Sequence, residues 1–166
     1  MHETITNVVL AGLGGQGVVK ASDILADAAR RAGLDVKKAE IHGMSQRGGS
    51  VTSDVRFGSR VLSPMVPRGE ADYLLVLAPS EVDVARPVLK AGGVLIPPDL
   101  VPEDALPHPR SLNVALLGAL SHHLALPEAS LLAALQAAIP ERLLEVNEKA
   151  FALGRAAAAR AWGAGA

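Results

Sequence analysis

The run Val8-Val9-Leu10-Ala11-Gly12-Leu13-Gly14-Gly15-Gln16-Gly17-Val18-Val19 sets a glycine-rich turn between an apolar stretch and a helix-like pattern. This is where α/β folds bind phosphate: one glycine bends the chain, a second lets backbone approach the ligand, a third lets helix and strand pack closely. The N–H groups at the helix start, aligned with the positive end of the helix dipole, favour an anion. Gly12, Gly14, Gly15, Gln16 and Gly17 are therefore candidate cofactor-binding residues. A tight turn with a purely structural purpose has the same composition.

A second donor-rich segment, Glu40-Ile41-His42-Gly43-Met44-Ser45-Gln46-Arg47-Gly48-Gly49-Ser50, follows the next strand candidate. Its glycines suit close backbone approach, and Ser45, Gln46 and Arg47 suit anion contact. Met44, Ser45, Gln46, Arg47 and Gly48 complete the candidate binding set; a surface loop with turn glycines is the bland alternative. Glu40 lies 23 residues after Gly17 (40 − 17 = 23), near the offset of a ribose-binding acid in dinucleotide folds. Two lysines in the same strand, Lys37 and Lys38, and the lack of a hydride-transfer site later in the chain weigh against NAD.

His42 reads as a loop hydrogen-bonder, and His122 and His123, adjacent on a predicted helix, point apart and suit no shared metal. No Gly-x-Ser-x-Gly elbow occurs and no catalytic triad can be assembled from spacing. No catalytic residue is assigned. Asn113 reads as a helix cap, while Asn147 either bonds within a packed seam or faces a partner chain.

The elements that must position these residues follow from periodicity. Ile5 to Ala11 reads as a buried strand, and the helix after the glycines carries Val18, Ala21, Leu25, Ala28 and Ala32 on one face before Gly33 ends it. Asp35 to Ile41 completes a βαβ unit with parallel strands. Ser50 to Phe57 alternates as a half-exposed strand, with Arg60 to Ser63 returning as a hairpin across Gly58-Ser59. Tyr73 to Ala78 is a buried parallel strand. Ser80 and Asp83 open a helix interrupted at Pro87 and closed by Gly92-Gly93, after which Val94 to Ile96 forms a short strand. An irregular Pro97 to Pro109 leads to helices over Leu112 to Leu124, Pro127 to Ile139 and Pro140 to Ala159, with a fraying end from Ala156. The expected fold is a Rossmann-like three-layer α/β domain, with a mainly parallel sheet, one antiparallel hairpin and a helical C-terminal third. A single domain over residues 1–166 accounts for the length.

Composition narrows the function. Nearly half the residues are hydrophobic (49%), which suits a globular core, and a net charge of −1 without a basic run gives no nucleic-acid footprint. Aromatic residues are only 2%, too few for base-stacking platforms. With no cysteine, the chain lacks the thiolates that hold iron-sulfur clusters. The start lacks a secretory signal, and the longest apolar stretch, Val114 to Leu126, is broken by His122-His123. A cytoplasmic protein without a membrane span is expected.

Taken together, Gly12 to Val18, Glu40 to Val51, Ser63-Pro64, Gly69-Glu70-Ala71-Asp72, Asn113 to Leu120 and Glu145-Val146-Asn147-Glu148-Lys149-Ala150-Phe151 resemble the gamma module of 2-oxoacid:ferredoxin oxidoreductases. Within that family the resemblance is greatest to the beta subunit of the indolepyruvate branch, with the gamma subunit of a pyruvate or 2-oxoglutarate enzyme as the near alternative. The resemblance implies a complex that decarboxylates a 2-oxoacid on thiamine diphosphate, passes electrons through iron-sulfur clusters to ferredoxin and releases an acyl-CoA. It implies that a large partner subunit holds the thiamine diphosphate and clusters, that this chain alone binds no cofactor, and that it braces the active site and the CoA path. A pure interaction module and a stand-alone NAD-binding Rossmann protein are the competing readings.

Overall fold

In a computed structural model, residues 4–42 and 49–164 are described. Among these residues five strands form one sheet: β1 (Ile5–Leu13), β2 (Asp35–His42), β3 (Ser50–Gly58), β4 (Ala71–Val76) and β5 (Leu89–Ile96), in the order β2-β3-β1-β4-β5. β1 pairs in parallel with β4, and β4 with β5. β3 alone is reversed, antiparallel to β1 on one side and to β2 on the other. The mainly parallel sheet is thus as expected. Its antiparallel element is placed differently: β1 and β2 point the same way but do not touch, because β3 lies between them.

The return strand expected at Arg60 to Ser63 does not form. Both edges of β3 are already paired, leaving no ladder for a third partner. Residues 60–67 instead cross the sheet as a strap. Asp35 accepts the Val61 amide at 2.8 Å, Asp54 accepts that of Val66 at 2.9 Å, and Arg56 Nη1 donates to the carbonyl of Ser63 at 2.9 Å. The Val61 amide, outweighing Asp35's small desolvation, holds that carboxyl below its ordinary range. Burial pushes Asp54 the other way, opposed by the Val66 amide and Arg56.

Helices α1 (Val18–Arg31), α3 (Leu112–Ser121), α4 (Glu128–Ala138) and α5 (Glu141–Trp162) cover one face. They bury Leu10, Val55 and Leu75 of the sheet with Ile24, Leu25, Leu116, Leu120, Leu135 and Phe151. The other face is thinner: α2 (Val82–Ala85), a single turn, packs with Val66 and Val88 over Val9, Ala11, Leu74 and Val76. The expected long helix there is broken into this turn and two 3-10 segments, Pro79–Glu81 and Arg86–Val88, with Pro87 inside the second. Gly92-Gly93 belongs to β5 rather than to a helix end. Gly92 has φ +80°, Gly93 passes against the Ala71 carbonyl, and the β4 register shifts there.

α3 and α5 cross at two glycines. A methyl on Gly118 would run into the Phe151 carbonyl, and one on Gly154 into the Ala115 carbonyl, so the helix backbones themselves are in contact. α5 consequently stays helical to Trp162 instead of fraying from Ala156, because Ala157 and Ala158 are buried in this seam.

Candidate functional site

The glycine turn ends β1, beside the end of β4. From β1 the chain passes to α1 on the thick face; from β4 it passes to α2 on the thin one. A crevice opens where neighbouring parallel strands send their connections to opposite faces, and it lies at their carboxyl ends. The five glycine-turn candidates sit there. The strands bring them to this point because β1 is central and apolar on both faces.

Each has a distinct part. Gly12 is buried, and a side chain on it would strike Gln16 Oε1, Val18 and Leu77. Gly14 donates to the Gly49 carbonyl at 3.0 Å, tying the turn to the approach of β3. Gly15 has φ +90° and an open side. Gly17 has φ +82° and caps α1, and its carbonyl accepts the Ala21 amide at 3.0 Å. Gln16 bridges the crevice, accepting the Leu13 amide at 2.7 Å and donating to the Leu77 carbonyl at 3.3 Å. Part of the turn's donor set is therefore spent internally. The first-turn amides of α1, which have no carbonyl one turn earlier in the helix, face the remaining space.

That space is a cleft of about 400 Å³ lined by Gly15, Gln16, Gly17, Lys20, Arg110 and Asn113 among others. Lys20 lies on the first turn of α1 and Arg110 in the 3-10 segment Pro109–Ser111, so two cations flank the helix start. Sequence reading missed both, since ninety residues separate them (110 − 20 = 90) and no local motif marks either. Across Arg110 and Asn113 a second cleft of about 410 Å³ adds His108 and Arg142. Asn113, 8% exposed, is not a helix cap: its Nδ2 donates across to the Gly17 carbonyl at 3.3 Å and fixes α3 to the glycine turn. Asn147 bonds within its own helix, to the Leu143 carbonyl at 2.8 Å.

Met44, Ser45, Gln46, Arg47 and Gly48 lie outside the described residues. Their flanks converge on the turn nonetheless: Gly49 bonds Gly14, and His42 shares a hollow of about 280 Å³ with Gly14, Gly15 and Lys20. Glu81, also missed from sequence, is buried and accepts Ser50 Oγ at 2.8 Å.

Glu40 does not take the ribose-binding position. Its carboxylate meets Lys38 Nζ at 2.6 Å, and Lys38 also contacts Asp23 of α1. Burial alone would lower the lysine's pKa, but these two carboxylates outweigh it and hold it above its usual value. The intervening β3 also sets β2 one strand farther from β1, about 4.8 Å in the sheet direction, than a dinucleotide site requires.

His122 and His123 lie past the end of α3 rather than on it, with ring centroids 5.3 Å apart. Among the described residues no three metal-ligating side chains gather, and no helix is long and apolar enough to cross a membrane.

Fold and site define an α/β module of the dinucleotide-fold class, with a cationic cleft at its switch point. The pattern described as pyruvate ferredoxin/flavodoxin oxidoreductase matches residues 7–107, and the chain belongs to that family. It is similar to indolepyruvate oxidoreductase subunit IorB of Thermococcus kodakarensis, 34% identical over 92% of this chain and 95% of that one. Among solved structures it is similar to the gamma subunit of a keto/oxoacid ferredoxin oxidoreductase from Geobacter sulfurreducens, with TM-score 0.79, 25% identity, and coverage of 93% of this chain and 99% of that one. The fold recurs at TM-score 0.81 and 24% identity in a 2-oxoglutarate:ferredoxin oxidoreductase from Magnetococcus marinus with coenzyme A bound, covering 96% of this chain and 32% of that chain. The chain is thus an oxidoreductase subunit of the gamma type, as the sequence resemblance implied.

Proposed function

We propose that this chain is the non-cluster subunit of a cytoplasmic indolepyruvate- or arylpyruvate:ferredoxin oxidoreductase, bracing the active site and the path of CoA on a larger partner. In such a complex thiamine diphosphate and iron-sulfur clusters supply decarboxylation and electron transfer from partner chains, and ferredoxin accepts the electrons. This chain has no cysteine to hold a cluster, so its own contribution is positional. A phosphate group suits its residues better. The Gly15 to Gly17 backbone, the first turn of α1, Lys20 and Arg110 converge on one cleft, and Arg47 and Ser45 would add donors. The observation that carries the reading is this cationic cleft at the switch point beside the glycine turn.

The test is Lys20→Glu with Arg110→Glu in the reconstituted complex. Each charge-assisted contact to phosphate contributes about 1.5–3 kcal/mol, so the KM for CoA should rise at least tenfold while assembly by gel filtration is kept. An unchanged KM would remove the phosphate role. Gln16 favours a second reading, a brace without ligand, because its side chain already fills part of the donor set. Calorimetric titration of the complex with CoA separates the two: the same heat from the wild type and the double variant supports the brace.

A further inference from the structure

At the far end of α3 from the glycine turn, roughly 15 Å along a ten-residue helix, lies a cleft unrelated to the cationic one. It has a volume of about 530 Å³ and is lined by Tyr73, Val94, His122, His123, Leu124 and Trp162. The sequence has one tryptophan, one tyrosine and five histidines, and the cleft gathers the first two with two of the last. The rings form a continuous set: His123 stands edge-on to Trp162 at 4.7 Å between centroids, edge-on to His122 at 5.3 Å, and tilted to Tyr73 at 5.8 Å. Tyr73 Oη donates to the His123 carbonyl at 3.2 Å, which holds the imidazole's backbone in place.

One polar atom in this set is unsatisfied. Among the described residues His123 Nε2 is sealed from solvent and has no hydrogen-bond partner. Such an atom costs roughly 1–3 kcal/mol and calls for a reason. Of the rings packed on the imidazole, that of Trp162 has the nearest centroid; Trp162 is 41% exposed at the last residue of α5 and is followed by Gly163 at φ +84°. A terminal helical turn opens at small cost, so the indole can turn aside and bring Nε2 within reach from the cleft.

We infer that this cleft binds a small neutral aromatic molecule bearing a hydroxyl, its ring against Trp162 and its hydroxyl on His123 Nε2. The ring follows from the aromatic walls, which favour stacked or edge-on partners. The hydroxyl follows from the imidazole: neutral histidine presents Nε2 as donor in one tautomer and acceptor in the other, and a hydroxyl serves both. Neutrality follows from the lining, which among the described residues contains no lysine, arginine or carboxylate to balance a charge. The volume is within the range of small-molecule sites. This inference does not depend on the CoA reading.

Trp162, as the sole tryptophan, reports directly. The full chain is titrated with phenol while indole emission is followed, with toluene (ring without hydroxyl) and cyclohexanol (hydroxyl without ring) alongside. Saturable change with phenol, about tenfold tighter than with either control, is expected from satisfying one buried group. His123→Phe keeps the ring, removes both nitrogens and should bring phenol down to toluene; far-ultraviolet circular dichroism checks that the variant is folded. A linear, collisional response to phenol, equal affinities for phenol and toluene, or undiminished phenol binding by folded His123→Phe would each overturn the inference.

Discussion

Replacing Gly154 with alanine tests the α3–α5 crossing, on which the position of Asn113 depends. By helix propensity alone the change should stabilise α5 by about 1 kcal/mol, since glycine is a poor interior residue. The structure gives the opposite sign. The added methyl would overlap the Ala115 carbonyl, and a backbone carbonyl cannot rotate away as a flexible side chain can. Overpacking costs typically about 1–3 kcal/mol, and an immovable neighbour puts this site at the upper end. The net expectation is a loss of about 2 kcal/mol, or a fall in Tm of about 4–8 °C for a chain of this length. Urea denaturation followed by circular dichroism measures it, with Ala156→Gly on the exposed side of the same helix as a reference losing about 1 kcal/mol. A Gly154→Ala protein as stable as the parent, or more stable, would refute backbone contact between these helices.

Asn113→Ala should cost about 1 kcal/mol, the net worth of its bond to the Gly17 carbonyl, and should speed amide exchange in the first turn of α1, read by hydrogen exchange. His123 supplies a pH dependence. Burial, with His122 nearby, lowers its pKa below the usual 6.5, so the unfolded chain takes up the proton first. Its contribution to stability is full above about pH 6.5 and lost as pH falls through the lowered value. Denaturation midpoints across this range should decline in the wild type and decline less in His123→Phe.

The glycine turn, the five strands (β5 only over Val94 to Ile96) and the C-terminal helices were legible because each rests on a local pattern: apolar runs, a 3.6-residue period, proline at a helix start. Neighbours in the sheet were not. Ser50 to Phe57 announces a strand, but nothing in its alternation says that it slides between β1 and β2. Lys37 and Lys38 did carry the hint, since charge suits the edge strand that β2 proves to be. Gly92-Gly93 was misread because a helix stop and a strand bulge use glycine for the same freedom of φ. In the site, the turn was visible and its charge was not. Lys20, Arg110 and Glu81 become neighbours of the turn only through the sheet order and the α3–α1 contact.

The reversed β3 also dictates an order of events during synthesis. A nascent chain that has finished β1, α1 and β2 still has no sheet, because its two parallel strands share no hydrogen bond and await a third that follows them. Until Gly49 is made, Gly14 has no carbonyl to meet, and until β3 is complete at Gly58, the facing edges of β1 and β2 lack the partner they share. The N-terminal third therefore commits to structure late and all at once. While it waits, the apolar faces of Val8, Leu10 and Ile24 have no finished sheet to bury them, and exposed surface of that kind with unpaired strand edges is prone to aggregation.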